Sequence, residues 1–361
     1  MKVAIVHDWL VGGGAEKVVF ELHKLYPEAP IYTSYCTPEW RQKLDNKVVT
    51  GFLQHWPFGS LRKFVPFLRI WWFSHLNLEG FDIVISSSGA EAKGIKVPPG
   101  TRHINYCHAP THYYWGRYDE YMTHSGFGFF DPLARLALRL LVGPMRKWDY
   151  KAAQRPDVMI ANSTHTQAMI KKYYGRESVV IHPPVDIERF EKSGDRKRSG
   201  FVAAGRQTPY KRIDLAIQAC SQLNLPLTVI GDGPDNARLR NLAGPTINFL
   251  GRASDVVVEQ QFSQTTAFIF AGWDDFGITP VEAMAAGTPV IAYKMGGALD
   301  YIIPGKTGEF FEEQTVESLV AALQSFDPKK FDSKIIQTKA ESFSPDVFRT
   351  KMADFVVQQT T

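Results

Sequence analysis

The sequence is poor in cysteine: Cys36, Cys107 and Cys220 are the only three among 361 residues. The count is odd, the spacings are long and no CxxC pair occurs. Neither a zinc site nor a disulfide framework is indicated, and a reducing, cytoplasmic setting fits best. Long apolar runs are also missing. No stretch of about 18 uncharged apolar residues exists to form a transmembrane helix. The apolar start, Val3-Ala4-Ile5-Val6, is too short for a signal peptide and no small-residue cleavage site follows it. There is no DxD triplet, so nothing calls for a metal-bridged diphosphate, and no metal or cofactor is expected. Charge of one sign is scarce as well. Lys and Arg number 41 against 37 Asp and Glu, a net charge of +4. An excess that small does not announce nucleic-acid binding.

What remains is ordinary for a globular chain, with 44% apolar and 22% charged residues. The length suggests two domains or slightly more. Short runs rich in Val and Ile alternate with helical patterns. Five candidate strands are Lys2 to His7, Asp82 to Ser86, His103 to Cys107, Val158 to Ala161 and Val179 to His182. A second series comprises Phe201 to Ala204, Leu227 to Ile230, Ile247 to Leu250, Ala267 to Phe270 and Pro289 to Tyr293. Runs apolar on both faces and separated by helices predict parallel sheets covered on both sides, an α/β class of doubly wound, Rossmann-like domains. Pro183-Pro184 followed by the polar stretch 191–200 marks a break. The expected division is a first domain over 1–185, a linker over 186–199, and a second domain over 200–340. A C-terminal helix over 341–361, with Phe348, Met352 and Phe355 on one face, is a candidate to cross back to the first domain.

Several loops carry candidate chemistry. After the first strand, Gly12-Gly13-Gly14-Ala15-Glu16 leads into a helix. Glycines there admit close backbone approach, and a helix N-terminus offers N–H groups to an anion, although a plain tight turn reads equally well. The pattern lacks the third glycine of GxGxxG, and no Walker A motif is present at the spacing it needs. In the second series, Arg206 and Lys211 lie just past a strand, where both can reach a diphosphate or simply face water. Gly231-Asp232-Gly233-Pro234 forces a sharp reversal. The run Trp273 to Pro289 predicts a helix with Thr279 as N-cap, Pro280 at its first position, Gly287 at its stop and a capping box between Thr279 and Glu282. Asp274 and Glu282 are also suited to accept hydrogen bonds from sugar hydroxyls. Met295-Gly296-Gly297 makes one more glycine turn.

Together these motifs resemble the retaining glycosyltransferases of the large family 4, over most of the chain and most strongly from Gly200 to Phe311. The resemblance implies a GT-B fold: two Rossmann-like domains facing across a cleft, with a nucleotide sugar on the C-terminal one. Asp274 and Glu282, separated by seven residues, hold the places of the family's paired carboxylates, the first of which is usually Glu. By the same resemblance, Glu282 would hold ribose hydroxyls, and Arg206 and Lys211 would neutralise the diphosphate. The backbone around Phe276 and Gly277 would meet the sugar, Gly13 and Gly14 would close over the donor phosphate, and His108 would stand near the reacting group. A narrower resemblance, carried by Tyr106-Cys107-His108-Ala109-Pro110, Tyr114-Trp115, Ser86-Ser87-Ser88 and Asp275 to Glu282, is to GDP-mannose-dependent mannosyltransferases of bacterial O-antigen and exopolysaccharide assembly. That subgroup often carries Arg at the place of His112 and Asp at the place of Gly116, and this chain does not. The implied reaction is front-face transfer of mannose with retention, through an oxocarbenium-like transition state. A UDP- or ADP-sugar donor, an epimerase and a degenerate sugar-binding protein are the competing readings.

Two acid-free stretches complete the picture. From 46 to 78, Arg62, Lys63 and Arg69 are interleaved with aromatics that include Trp71 and Trp72. From 132 to 148, Arg135, Arg139, Arg146 and Lys147 stand beside leucines. Basic amphipathic segments suit an anionic membrane surface, whereas core packing with the cations in water is the plainer reading. The expected partners are a nucleotide-sugar donor, a saccharide or lipid-linked saccharide acceptor, and the inner face of the plasma membrane as a peripheral docking surface. Nucleic acid is not among them.

Overall fold

The computed structural model describes residues 1–62, 65–123, 131–190 and 198–359. The chain divides into two compact units, the first made of 1–184 and 346–361 and the second of 185–345. In the first unit, the strands are β1 (Val3–His7), β2 (Ile31–Thr33), β3 (Val48–Val49), β4 (Ile83–Ser88), β5 (Arg102–Cys107), β6 (Val158–Ala161) and β7 (Val179–Val180). They form one parallel sheet in the order β3-β2-β1-β4-β5-β6-β7. Every residue of β1 and β4 is buried, as expected of a central strand with helices on both faces. Helix Gly14–Leu25 covers one face through Val18, Val19 and Leu22, which join Ile5, Ile85 and Ile104 in a single core. The terminal helix Pro345–Gln358 adds Phe348, Met352, Phe355 and Val356 to that same core.

In the second unit, the strands are β8 (Phe201–Ala204), β9 (Leu227–Ile230), β10 (Ile247–Gly251), β11 (Ala267–Phe270), β12 (Val290–Tyr293) and β13 (Gly308–Phe311). This sheet is also parallel, in the order β10-β9-β8-β11-β12-β13. The order reverses direction at β8 and β11, the position where open α/β sheets bind ligands beyond their carboxyl ends. The segment 186–199, expected as a linker, supplies Ile187 and Phe190 to the core of this unit, where Phe190 stacks on Phe262. Residues 191–197 of that segment lie outside the described residues. Among the described residues, no helix is long and apolar enough to cross a membrane.

Candidate functional site

The second unit gathers its candidate residues on loops at the carboxyl edge of neighbouring strands. Arg206 follows β8 and is exposed. Lys211 ends the short 3-10 turn Pro209–Lys211, five residues further on. Asp274 follows β11, and the Lys211 ammonium pairs with its Oδ2. The two side chains are 19% and 22% exposed, so the pair is neither sealed in nor fully solvated. These loops touch backbone to backbone. A Cβ on Gly272 would stand 2.7 Å from the Lys211 carbonyl oxygen, and one on Gly297 would overlap the Phe276 backbone. The Gly297 N–H donates to the Asp274 carbonyl at 2.9 Å. Only glycine permits these approaches, and they fix the Lys211, Asp274 and Phe276 loops against one another.

Helix Ile278–Ala285 begins at Gly277, whose φ of 88° is left-handed, with no side-chain cap. The helix therefore starts two residues earlier than its sequence signals imply. Thr279 lies inside the first turn rather than at the N-cap, and the Thr279–Glu282 capping box does not form. A glycine in the left-handed region replaces it. Glu282 sits half-buried in the second turn. The Phe276 ring is buried, edge-on to Tyr301 at 5.7 Å, so it is the backbone that this loop turns outward.

The sequence reading missed three residues here. Arg252, just beyond β10, lines a pocket of about 480 Å³ with Arg206, Asp232 and the two glycine turns after β8 and β9. Gln207 is fully buried. It donates to the Gly231 carbonyl at 2.8 Å and accepts from Asn236 at 2.6 Å, tying those turns together. Tyr301 lies against Gly277, and its buried hydroxyl has no partner among the described residues. Burial, with Asp274 and Asp300 adding, pushes this phenol well above its usual pKa, so it remains an O–H donor.

The first unit holds its candidates differently. His108 follows β5, and its Nε2 lies 2.7 Å from the Ser87 hydroxyl at the end of β4. His7, at the end of β1, reaches the same serine and stands edge-on to His108 at 6.1 Å. Asp8 accepts three backbone N–H groups, from Gly89, Ala90 and Ala92 at 2.7–2.9 Å, and so pins the loop after β4. Gly13 precedes helix Gly14–Leu25, but the loop's N–H groups at Val11 and Gly12 are filled by the buried Glu16 carboxylate at 3.2 and 3.0 Å. None of these acids was singled out by the sequence. Their partners are backbone groups, which a sequence does not display.

The basic aromatic segment needs correction. Arg69 and Trp72 do not face outward. In helix Pro66–Ser74, residues 69, 72 and 73 share the buried side. Arg69 makes a two-pronged pair with Glu91 at 3.0 and 2.7 Å, and Tyr113 donates to the same carboxylate. Trp72 packs in the core with Phe73 and Leu78. Arg62 is half-buried over the Tyr35 ring, Trp71 is exposed, and Lys63 lies outside the described residues. The second acid-free stretch falls on helix Asp131–Ala153. There Leu133, Leu136, Leu140 and Leu141 are exposed, Leu140 to 68%.

Comparison with known proteins bears on both units. The family model described as Glycosyltransferase Family 4 matches residues 12–189, and the one described as Glycosyl transferases group 1 matches 184–338. Among curated relatives, alpha-1,3/1,6-mannosyltransferase alg2 of Schizosaccharomyces pombe is 24% identical over 374 residues, covering 85% of this chain and 70% of its own. A GDP-mannose-dependent alpha-mannosyltransferase of Mycobacterium tuberculosis is 34% identical over 137 residues, 34% of this chain and 35% of its own. Among solved structures, Anabaena HepE in complex with UDP superposes with a TM-score of 0.71 at 16% identity, covering 99% of this chain and 100% of its own. Sucrose-phosphate synthase of Thermosynechococcus elongatus gives 0.72 at 17% identity, with 100% and 99% covered. The fold is that of these GT-B enzymes, and the chain belongs to the glycosyltransferases, with a Family 4 N-terminal domain and a group 1 C-terminal domain.

Proposed function

We propose that this glycosyltransferase transfers mannose from GDP-mannose, with retention, to a lipid-linked saccharide. The observation that carries the donor side is the meeting of Arg206, Lys211, Asp274 and the start of helix Ile278–Ala285 on abutting loops at the strand ends of the second unit. The Lys211–Asp274 pair is poised for exchange: a diphosphate takes Lys211, and Asp274 turns to a sugar hydroxyl. Arg206 and Lys211 then stabilise charge on the departing diphosphate. Glu282 accepts from ribose hydroxyls, and Arg252 and Asp232 flank the nucleoside. Gly13 and Gly14 serve the phosphate only if Glu16 yields the neighbouring N–H groups. His108 donates a hydrogen bond to the transferring group. The choice of mannose and GDP is supported by the names of the curated relatives, four of which specify GDP-mannose as donor at 28–34% identity over part of the chain.

Helix Asp131–Ala153 supports the lipid-linked acceptor and a peripheral place on an anionic bilayer. Its exposed leucines lie at positions 133, 136, 140 and 141, one helical face, and the acid-free run 132–148 carries Arg139 and Lys147 at its surface. Charge reversal at Arg139 and Lys147 is expected to lower sedimentation with phosphatidylglycerol vesicles and leave nucleotide binding intact; unchanged sedimentation would remove the membrane from the reading.

Calorimetric titration with GDP, UDP, ADP and GDP-mannose tests the donor. Selective binding of GDP and GDP-mannose is expected. Preference for UDP, the nucleotide held by HepE in its complex, would keep the enzyme class and overturn the donor.

A further inference from the structure

We propose that Ser87 is a positioning residue that holds neutral His108 with its proton on Nδ1, so that this ring atom presents an N–H and not a lone pair. The functional weight of His108 rests on the reading above; the protonation state does not.

The argument starts from the sheet. The register of β1 on β4 sets His7 opposite Ser87, and that of β4 on β5 sets Ser88 opposite Cys107, the residue before His108. The His108 N–H continues the ladder to the Ser88 carbonyl at 2.9 Å. Three adjacent strand ends thus bring His7, Ser87 and His108 together. Alternation along β4 separates the three serines. Ser86 and Ser88 both accept from Asn105 Nδ2 at 2.9 Å, while Ser87 alone meets the two histidines.

Ser87 is fully buried. Its Oγ lies 3.1 Å from His7 Nδ1 and 2.7 Å from His108 Nε2. His7 Nδ1 is also 2.8 Å from the Ser87 carbonyl oxygen. A carbonyl only accepts, so His7 Nδ1 carries a proton and donates. An Nδ1 that carries its proton has no lone pair to offer the Ser87 hydroxyl. The hydroxyl proton is then left with His108 Nε2 as its acceptor. A neutral imidazole that accepts at Nε2 is protonated at Nδ1, because the hydrogen bond at one nitrogen selects the tautomer at the other. The opposite tautomer would leave a buried hydroxyl proton unpaired, at the full desolvation cost of that group. Tyr106 stands against the same ring, its centroid 5.3 Å away and tilted by 58°, with its own hydroxyl tied to the Ile181 carbonyl at 2.8 Å.

A neutral N–H at Nδ1 can donate to a hydroxyl or phosphate oxygen without taking up a proton first. Ser87 makes that state the resting one. Removing it takes away the hydroxyl that selects this tautomer.

Long-range proton–nitrogen NMR on the full chain labelled with ¹⁵N-histidine decides this, with the His108 signals identified by their loss in His108→Gln. At pH 7.5, Nδ1 is expected with the shift of a protonated nitrogen and Nε2 with that of an unprotonated one. Ser87→Thr keeps this pattern, and Ser87→Ala moves both shifts toward the average of a mixture. A proton on Nε2 in the wild type overturns the proposal, as does a spectrum indifferent to Ser87→Ala. A purely structural serine would lower the melting temperature without moving the nitrogen shifts. GDP-mannose titrated into the same samples separates the two readings. Nδ1 protonation without GDP-mannose binding supports this inference while the donor assignment falls; GDP-mannose binding with Nε2 protonation overturns this inference alone.

Discussion

The two units place polar groups at the same topological position, the carboxyl ends of parallel strands, and treat them in opposite ways. In the first unit the charged groups are sealed and satisfied within the unit. Lys93 and Asp149 are fully buried and 2.7 Å apart, with Thr111, Trp115 and Tyr174 completing the carboxylate's hydrogen bonds. Arg69 and Glu91 form a second sealed pair, and Asp8 is consumed by backbone N–H groups. In the second unit Arg206 is exposed, and Lys211 and Asp274 remain a fifth exposed. The difference teaches that a charge near a strand end is not by itself a ligand contact. Where every lone pair has a protein partner, the group is architecture; where a pair is half-open, it can trade its partner for a ligand.

The strongest way to break this contrast is at Lys93. Burial penalises its charge, yet Asp149 outweighs that penalty and holds its pKa above the ordinary value. Lys93→Met strands a buried carboxylate and is expected to cost about 3–5 kcal/mol in chemical denaturation. It should leave nucleotide binding by the second unit unchanged. A loss under about 1 kcal/mol would mean that the pair is not sealed.

His103 gives the next largest effect. Burial takes its pKa from 6.5 down to about 3. The unfolded chain takes up this proton near pH 6.5 and the folded one refuses it until about pH 3, so the stability it confers is full above pH 6.5 and is lost as pH falls through that window. Between pH 7 and 5 the loss should approach ~2 kcal/mol, and His103→Gln should flatten it. Parallel melting curves for the two proteins would argue against a neutral buried histidine.

At Lys211 the expectation inverts. Lys211→Ala should weaken nucleoside-diphosphate binding more than tenfold, or about 1.4 kcal/mol, with little change in melting temperature. If stability falls and affinity holds, the second unit resembles the first after all. The smallest effect belongs to Tyr301. Since its hydroxyl has no partner among the described residues, Tyr301→Phe should change stability by less than about 1 kcal/mol, in either direction. Any loss of GDP-mannose affinity in this variant would show that the hydroxyl finds its partner in the ligand.

Much of the architecture was legible because buried parallel strands announce themselves as Val- and Ile-rich runs. The strands over 158–161, 201–204, 227–230 and 267–270 lie where those runs lie. The three the sequence hid are β2, β3 and β13. Two of them have only three and two residues, and Gly308–Phe311 offers a glycine and a glutamate among its four. Strands that short carry no readable period, and they form because a neighbour supplies the ladder. In the site, Arg206, Lys211 and Asp274 were visible as polar residues just past strands. Arg252 was not, because nothing local distinguishes it from any surface arginine. The sealed pairs were equally hidden: Lys93 and Asp149 lie 56 positions apart, and Arg69 and Glu91 lie 22 apart. Arg69 therefore read as a surface cation until its partner came into view.

The placement of helix Pro345–Gln358 in the first unit sets an order of assembly. A ribosome delivers the second unit, 185–345, in full before it delivers Phe348, Met352 and Phe355. Until then, the first unit has its sheet but lacks part of its interior, with the Tyr106 ring waiting for Phe348, 5.9 Å from it in the finished fold. The domain that is begun first is completed last, and a nascent chain halted just after residue 345 carries a finished second unit and a first one still open.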